Sequence, residues 1–487
     1  MNERQRAELA VNAQREIWRR ETIEGNFKSY CLYWDAPFFT ERMSVLDILS
    51  DAFQYVYNSY KSGKRVRVAI STPPRAGKSY ISSLFISFML GHFPTESVMR
   101  NTCTSELHMK FTKDLGKILS SRKWKECFGN ISLSVNNAKQ VSLETAKQIS
   151  YFGAGVGGTI IGFGASMLAM TDDVFNKMED ALSGVKNESI KSWDESAMGS
   201  RLEGNCCRVD IGTRWTKDDM IGSNLDKYDR IISIPALDEN GKSFCDAVHT
   251  SEYYINLRDN EVSKLTWNAE YMQQPIDIEG QLFKSDELQY SDLMPSRFES
   301  NIAVCDTADT GTDYLSSPMV KKVENLYYLY DVVFTQLNME LSAPMIEGAY
   351  IENKVQLARF ESNNGGKIFA RDIEKKIPSC AFYWKQTTSN KETRILTDSF
   401  WIKKHVVFRY PYDKDKHPYG YKAGSDYAVF MNQLTSYIKG KKDQHDDAAD
   451  SVSMLRRLIF ELGYEERKPD PKEEWPSIEI KAEQIIL

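Results

Sequence analysis

The chain has 487 residues, of which 41% are hydrophobic and 27% are charged. This composition is ordinary for a folded globular protein and excludes disorder as the main state, and the length allows about two to four domains. The 62 Lys and Arg residues against 68 Asp and Glu residues give a net charge of −6. That balance excludes a polycationic coat over the whole chain, while a local basic surface remains compatible with it.

The eight cysteines include no CxxC pair, and none of the six histidines belongs to an HExxH motif. This pattern is typical of reduced thiols in a cytosol and gives little support to a zinc site. The N-terminal segment is too charged for a signal peptide. The apolar runs 83–90 and 159–170 are shorter than the roughly 18 residues that cross a bilayer. We therefore expect an intracellular protein that does not enter a membrane.

Strand and helix patterns alternate through the first half of the chain. Residues 4–20 have helical apolar spacing and predict an amphipathic helix packed on the first domain. From about 65 to 275, the alternation of short apolar runs with amphipathic stretches indicates a parallel α/β sheet. The predicted strands are 65–71, 97–103, 148–155, 166–171 and 205–213, and the predicted helices are 78–91 and 105–121.

A polar stretch without regular period, 274–288, predicts a connection to a second set of strands. The expected domain limits are 1–275 for the first domain, 276–298 for a linker, 299–463 for the second domain and 464–487 for a flexible, charged tail. The predicted elements of the second domain are a strand at 301–307, a hairpin at 321–336 around Glu324 and Asn325, a helix at 342–356, a strand at 356–362 and a helix at 445–462.

The segment STPPRAGKS (71–79) follows a predicted strand and opens a predicted helix. In such a phosphate-binding loop, backbone N–H groups at the helix N terminus attract phosphate oxygens. Lys78 would reach the β- and γ-phosphates of ATP, and the Ser79 hydroxyl would bind Mg²⁺. The usual pattern, GxxxxGK[ST], has its first glycine where this chain has Thr72. A chance GKS sequence at a helix start is therefore the alternative interpretation. The candidate nucleotide-binding residues are Thr72, Pro73, Pro74, Arg75, Ala76, Gly77, Lys78 and Ser79.

Two adjacent carboxylates, Asp172 and Asp173, end the apolar strand 166–171. Carboxylates at the end of a buried strand are costly unless they bind a cation or water. This arrangement favours a magnesium ligand next to the phosphate loop, with a helix N-cap as the alternative.

A second group of acids follows residue 300. Asp306 closes one predicted strand, Glu361 closes another, and Asp446, Asp447 and Asp450 open the last predicted helix. Acids at strand ends and at a helix start can converge on one edge of a sheet and form the oxygen-rich cage that hard cations require. Two Mg²⁺ or Mn²⁺ ions, bound by carboxylates without His or Cys, would suit phosphodiester cleavage. For any one of these residues alone, a helix cap or a solvated charge is the simpler interpretation.

Three segments together resemble the large terminase subunit of tailed bacteriophages: TPPRAGKS (72–79), GAGVGGTIIGFGASMLAMTDDVFNKMEDALS (153–183) and GTRWTKDDMIG (212–222). The resemblance extends from about 65 to 460. It implies an α/β fold in which an N-terminal P-loop ATPase domain of the ASCE type, with a parallel-rich sheet, precedes a C-terminal RNase H-like nuclease domain. The implied function is ATP-driven translocation of double-stranded viral DNA into a procapsid, with metal-dependent endonucleolytic cutting of concatemeric DNA.

The resemblance also implies roles in the ATPase domain. Asp172 becomes the Walker B metal ligand, and Thr213 in the coupling segment senses the γ-phosphate. The catalytic carboxylate of the family is usually Glu directly after the metal ligand; here that position is Asp173, and Glu179 is the alternative. Phe163 occupies a position where many relatives have an arginine finger, which leaves Arg75 as a candidate finger within the same chain.

In the second half, the order D…ESNNGG…HDDAAD with KETRI (391–395) between resembles the terminase nuclease domain. The family usually has DPA where this chain has DTA at 306–308. The resemblance implies that Lys391 and Arg394 contact the DNA backbone. It implies metal ligation by Asp306, Glu361 and Asp447, with Asp446 adjacent.

The implied partners are double-stranded DNA, the portal protein and the small terminase subunit, with a ring homo-oligomer on the portal during packaging. The implied location is the host cytoplasm, docked transiently on the procapsid and absent from the mature virion. Basic and aromatic residues at 121–125, 383–386, 401–405 and 437–442 are candidate DNA contacts, although a solvated face explains each equally well. Two rival interpretations remain: a helicase-like DNA-translocating ATPase with a non-catalytic second domain, and a nucleotide-gated scaffold with a degenerate P-loop.

Overall fold

A computed structural model describes residues 3–158, 162–276, 280–307, 313–361, 366–385, 390–441 and 443–463. These residues form two compact units, the first within 3–276 and the second within 280–463. Each unit is built on its own sheet. The predicted tail, 464–487, lies outside the described residues.

The first unit contains ten α-helices and eight strands among its described residues. Its helices are α1 (Glu3–Glu24), α2 (Phe27–Glu41), α3 (Met43–Lys61), α4 (Lys78–His92), α5 (Ser105–Ser120), α6 (Arg122–Phe128), α7 (Met178–Leu182), α8 (Gly184–Trp193), α9 (Ser251–Asn256) and α10 (Lys264–Thr266). Its strands are β1 (Arg67–Ser71), β2 (Val98–Thr102), β3 (Leu133–Asn136), β4 (Gln140–Leu143), β5 (Tyr151–Phe152), β6 (Leu168–Asp172), β7 (Cys207–Ile211) and β8 (Arg230–Ser233).

The sheet of the first unit has the strand order β3-β4-β5-β2-β6-β7-β1-β8. All neighbours from β5 to β8 are parallel, whereas β3 and β4 are antiparallel additions at one edge. Strand β7 lies between β1 and β6, as the ASCE arrangement requires. The carboxyl ends of β1 and β6 therefore meet at one edge of the sheet, which is where open α/β sheets bind ligands.

Aromatic side chains of α2, α3 and α4 form the centre of the core on one face of this sheet. The Phe27 ring lies 5.6 Å from Phe53 and 5.1 Å from Phe85, both in edge-to-face geometry. Sequence analysis did not identify α2 and α3. The predicted N-terminal helix is confirmed as α1, but only its last turns pack closely: Thr22 is buried, whereas Leu9 is 56% exposed.

The second unit has five α-helices and seven strands among its described residues. Its helices are α11 (Met339–Glu352), α12 (Gly366–Glu374), α13 (Lys391–His405), α14 (Asp426–Ser436) and α15 (Asp447–Glu461). Its strands are β9 (Gln289–Ser291), β10 (Ser300–Cys305), β11 (Leu315–Val323), β12 (Leu326–Thr335), β13 (Leu357–Glu361), β14 (Ala381–Lys385) and β15 (Val406–Arg409).

The second sheet has the order β14-β13-β10-β11-β12-β15-β9. Strands β10, β11 and β12 form an antiparallel meander, while β13 and then β14 add in parallel beside β10. This is the RNase H-like strand order, and it brings the ends of β10 and β13 to one edge. The two sheets together confirm the predicted fold class.

Several predicted boundaries change. The predicted strand 148–155 shortens to the two residues of β5, and the predicted linker 276–298 includes β9, which pairs with β15. The hairpin turn is confirmed at Glu324, whose φ of 52° is left-handed, although β11 begins well before the predicted residue 321. Strand β9 was missed because three residues at a sheet edge are too few for a period-two pattern.

None of the helices in the described part of the chain combines the length and apolar character that a bilayer crossing requires.

Candidate functional site

The phosphate loop lies between β1 and α4, as predicted. Gly77 precedes the helix with a φ of 90°, and Arg75 has a φ of 65°. Glycine adopts such positive angles without strain, so Gly77 suits its position before the helix. The loop therefore turns the chain directly into the N terminus of α4, where backbone N–H groups attract anions.

Lys78 is almost fully buried and contacts the second of the two strand-end acids. Its Nζ lies 3.2 Å from Asp173 Oδ2 and donates to Thr213 Oγ1 at 3.2 Å. The Thr213 N–H in turn donates to Asp173 Oδ1 at 3.2 Å. Asp173 has a φ of 48°, a strained conformation for a residue other than glycine. The structure thus brings three predicted residues into one contact network.

Asp172 faces a different set of partners. Its Oδ1 accepts a hydrogen bond from Ser79 Oγ at 3.2 Å, and its other oxygen contacts the guanidinium of Arg100. Arg100 also donates to the Ser79 carbonyl oxygen at 3.1 Å and to Ser83 Oγ at 2.8 Å. Arg100 is 1% exposed. Sequence analysis missed this residue, although an arginine inside the apolar strand 97–103 signals a buried carboxylate partner.

Residues 212–222, which the resemblance interprets as a coupling segment, form a compact turn beside Asp173. Asp219 organises it by accepting hydrogen bonds from the backbone N–H groups of Trp215 and Gly222, each at 2.8 Å, and from the side-chain Nε of Arg214 at 3.1 Å. A Cβ on Gly222 would lie 1.9 Å from the Lys217 carbonyl oxygen, so only glycine fits there. The turn holds Thr213 against the phosphate loop.

The remaining predicted ATPase residues have varied positions. Thr72 is fully buried and donates from Oγ1 to the Pro73 carbonyl oxygen at 3.2 Å. Arg75 is exposed and lies near His249, whose pKa is lowered by burial and then by the Arg75 charge. Phe163 lies against Phe152, with ring centroids 4.6 Å apart. Glu179 belongs to α7, but its side chain lies outside the described residues.

These residues fit a magnesium nucleotide. Ser79 and Asp172 present two oxygens side by side, and Lys78 supplies a positive charge at the helix N terminus. Hard cations bind through such oxygens and usually retain several waters. The donor set therefore suits Mg²⁺ together with the phosphates of ATP.

In the second unit, Asp306 follows β10, Glu361 ends β13 and Asp450 lies in the first turn of α15. One carboxylate oxygen of each lies within 4.8 Å of the other two. The parallel pairing of β10 with β13 aligns Cys305 with Phe360 and so places the first two acids together. Burial, followed by the charge of Asp450, raises the pKa of Asp306 well above its ordinary value. Neighbouring carboxylates repel one another when charged, and this repulsion raises their pKa values.

The third acid of this group is Asp450, whereas the resemblance implied Asp447. Residues three apart on a helix share a face, so both side chains of α15 point at the sheet edge. Asp447 accepts from the Tyr314 N–H at 3.2 Å, and burial raises its pKa. Asp446, which precedes the helix, is 33% exposed. The sequence could not rank these three acids because all lie within one helical turn.

Two basic residues at the start of α13 contact the acids. Lys391 Nζ lies 2.7 Å from Asp446, 3.6 Å from Asp447 and Asp450, and 3.9 Å from Asp306. Although burial opposes its charge, Asp450 and then Asp306 raise the pKa of Lys391.

Arg394 is 4% exposed, and its Nη2 donates to both oxygens of Asp450 at 2.6 Å. The interpretation of Arg394 as a DNA-backbone contact is therefore wrong, because its guanidinium is committed to an internal ion pair.

The acidic group of Asp306, Glu361 and Asp450 fits a hard divalent cation, because it consists of converging carboxylate oxygens. A Cβ on Gly366 would lie 2.1 Å from the Glu361 carbonyl oxygen, so the glycine allows α12 to begin next to this acid.

Some side chains in the predicted DNA-contact segments make contacts within the fold. Trp124 is buried, and Lys123 donates to the Trp34 carbonyl oxygen at 2.7 Å. Lys385 pairs with Glu461 at 2.8 Å. For these residues, the structure favours a role in stabilising the fold.

Comparisons with known proteins agree with this architecture. No family model matches the chain, and no curated protein sequence matches it. Among solved structures, the chain is similar to the large terminase from a thermophilic bacteriophage, with a TM-score of 0.50 and 12% identity over 82% of this chain and 95% of that chain. Structures of that protein include complexes with ATP-gamma-S and with ADP.

Two terminase nuclease domains are also similar to part of the chain. The human cytomegalovirus domain has a TM-score of 0.29 and 12% identity over 36% of this chain and 94% of that chain. The nuclease domain of gp2 from bacterial virus Sf6 has a TM-score of 0.23 and 9% identity over 32% of this chain and 87% of that chain. The full-length similarity confirms that the chain has the two-unit fold of a large terminase, as the sequence resemblance predicted.

Proposed function

We propose that this chain is the large subunit of a terminase. In this proposal, the first unit hydrolyses ATP to move double-stranded viral DNA into a procapsid. The second unit cuts concatemeric DNA with the help of divalent cations. The observation that carries the proposal is the presence of two separate candidate sites on one chain. One joins a phosphate loop to Asp172 and Asp173, and the other groups Asp306, Glu361 and Asp450 at the edge of an RNase H-like sheet.

At the ATPase site, Mg²⁺ would supply charge stabilisation at the phosphates. Lys78 and the N terminus of α4 would hold the phosphates, while Ser79 and Asp172 would hold the cation. Asp173 is the best candidate to orient the attacking water, because its carboxylate is fixed by Lys78 and by the Thr213 N–H. Its contact with Thr213 connects it to the coupling turn.

Arg75 is the candidate arginine finger within the chain. Its side chain is exposed, and it belongs to the phosphate loop itself. A finger supplied by a neighbouring subunit in a ring would make hydrolysis depend on assembly, which measurement of ATPase rate against protein concentration tests directly.

At the nuclease site, the carboxylates of Asp306, Glu361, Asp447 and Asp450 would hold two Mg²⁺ or Mn²⁺ ions, which would stabilise charge on the cleaved phosphodiester. Lys391 keeps a positive charge among these acids, and Arg394 fixes the orientation of Asp450. The chain's own contribution is to pre-position oxygens that repel one another.

The proposal includes partners suited to this role: double-stranded DNA, a portal protein, a small terminase subunit and other copies of the chain in a ring on the portal. The expected location is the host cytoplasm, with transient docking on the procapsid. The rival function is a helicase-like ATPase with a non-catalytic second unit.

A metal-dependent nicking assay decides between these functions. Supercoiled plasmid is incubated with the full chain and Mn²⁺, and relaxed product is measured. We expect cutting by the wild type and by Asp286→Asn, which removes an exposed carboxylate of the same unit. We expect none by Asp306→Asn. Absence of cutting by the folded wild type would favour the helicase-like function.

A further inference from the structure

The two carboxylate oxygens of Asp447 face two different groups of side chains. Oδ1 lies 3.6 Å from Lys391 Nζ, on the side of Asp306 and Asp450. Oδ2 lies 3.8 Å from His445 Nδ1 and accepts a hydrogen bond from the Tyr314 N–H. A carboxylate with its oxygens directed to opposite sides is able to serve two cations at once.

The group on the Oδ2 side contains Asp313, His445 and Asp447. One potential ligand atom of each lies within 4.8 Å of the other two. Asp313 immediately precedes Tyr314 and β11, and His445 lies just before α15, so the same sheet edge and helix start assemble both groups. Asp313 and His445 are exposed, whereas Asp447 is 3% exposed. A cation would therefore reach this position from solvent.

Ring contacts hold the imidazole in place. The His445 ring packs edge-on against Tyr314 at 5.5 Å, and Tyr314 stacks on Phe334 at 4.4 Å. A cavity of about 300 Å³ opens beside these rings and is lined by polar side chains that include Gln433, Gln444 and Lys441. Gln433 also donates to Asp447 Oδ2 at 3.4 Å and accepts from the Ala448 N–H at 2.6 Å.

We propose that Asp313, His445 and Asp447 form a divalent-cation position with mixed nitrogen and oxygen ligands. It is distinct from the all-carboxylate position of Asp306, Glu361 and Asp450, and Asp447 connects the two. An imidazole ligand suits first-row transition-metal ions better than Mg²⁺ and Ca²⁺, which prefer oxygen alone. Mn²⁺ also accepts oxygen ligands and serves here as the paramagnetic probe. Cation binding here does not depend on the proposed function; its use in DNA cutting rests on the proposed nuclease activity.

This proposed position differs from the ligand set predicted from the sequence. The acids at 306, 361 and 446–450 predicted a site without histidine. His445 directly precedes Asp446, but Asp313 lies far from it along the chain. Only the folded sheet brings the two together.

The experiment measures Mn²⁺ binding to the full chain by electron paramagnetic resonance, with pulsed detection of nitrogen hyperfine coupling. We expect the wild type to show imidazole nitrogen coupled to bound Mn²⁺. His445→Gln should remove that coupling and reduce the number of bound Mn²⁺ ions by one per chain. His417→Gln is the matched control, because His417 Nδ1 lies 2.7 Å from Asp292 but belongs to neither group.

Asp306→Asn provides a second comparison and should leave the nitrogen coupling in place. The inference is overturned if the wild type shows no nitrogen coupling, or if His445→Gln leaves the coupling and the Mn²⁺ count unchanged. Plasmid cutting is measured on the same samples. Loss of nitrogen coupling in His445→Gln together with an uncut plasmid in the wild type would support the cation position and count against the proposed nuclease.

Discussion

The guanidinium of Arg100 contacts the carboxylate of Asp172 inside the first sheet, where β2 and β6 run side by side. Both side chains are 1% exposed. Because each neutralises the other in a buried position, neither charge is tolerated well alone. The same arginine holds the Ser79 carbonyl oxygen, so this ion pair fixes the strand-end acid relative to the phosphate loop.

We predict that Arg100→Met lowers the free energy of unfolding by about 3–5 kcal/mol, because it leaves the Asp172 charge buried without its partner. The double variant Arg100→Met with Asp172→Asn should recover part of that loss, which urea unfolding measures. Strictly additive losses in the two single variants and the double variant would argue against the pair.

Asp173→Asn should reduce the steady-state ATPase rate by about 100-fold or more, the range for loss of a general base. Glu179→Gln should have a much smaller effect, since the contacts of Asp173 with Lys78 and Thr213 fix it at the phosphate loop. Nucleotide binding, measured separately, should persist in both variants. A nearly normal rate in Asp173→Asn would transfer the role to another carboxylate.

Asp450→Asn should weaken Mn²⁺ binding and stop plasmid cutting, because Asp450 forms one acidic group with Asp306 and Glu361. Asp446→Asn should retain most cutting, since the Asp446 side chain is 33% exposed and lies at the edge of the acidic cluster. Circular dichroism must show that Asp450→Asn is folded, because the change also removes the charge that balances Arg394. Equal cutting by the two folded variants would reject this ranking.

His92 predicts a pH dependence of stability. Burial lowers the pKa of His92 from about 6.5 to about 4, and the backbone contact with Thr22 only partly opposes this. The unfolded chain then binds more protons than the folded chain, so stability present above about pH 6.5 is lost as pH falls towards 4. His92→Asn should make the free energy of unfolding about 1–2 kcal/mol less sensitive to a change from about pH 7 to about pH 5. Identical pH dependence in both proteins would contradict this assignment.

The sequence supported the prediction of elements with strong local patterns. Strand β6 and the phosphate loop were identified because an apolar run, a turn and a helix start adjoin one another there. The order of the strands in each sheet came only through the family resemblance, since pairing is a long-range property. Helices α2 and α3 were missed, although α3 has one clearly buried face.

The candidate sites, too, could be predicted from the sequence only in part. Asp306 and Glu361 stand at the ends of predicted strands, but only the family resemblance placed them in one site. The grouping of Asp450 with Asp306 and Glu361 depends on helix rotation, and the commitment of Arg394 to an ion pair depends on side-chain packing. Arg100 was visible as a charge in an apolar strand, but its partner lay far away in the chain.

The central claim is that one chain contains two independent active sites, and paired assays of Lys78→Ala and Asp306→Asn test it most directly. Both variants are assayed for Mg²⁺-dependent ATP hydrolysis and for Mn²⁺-dependent plasmid cutting, with Lys64→Ala, which changes an exposed lysine, as the control. We predict that Lys78→Ala loses only hydrolysis and that Asp306→Asn loses only cutting. Loss of both activities in either folded variant, or full cutting by Asp306→Asn, would contradict the claim.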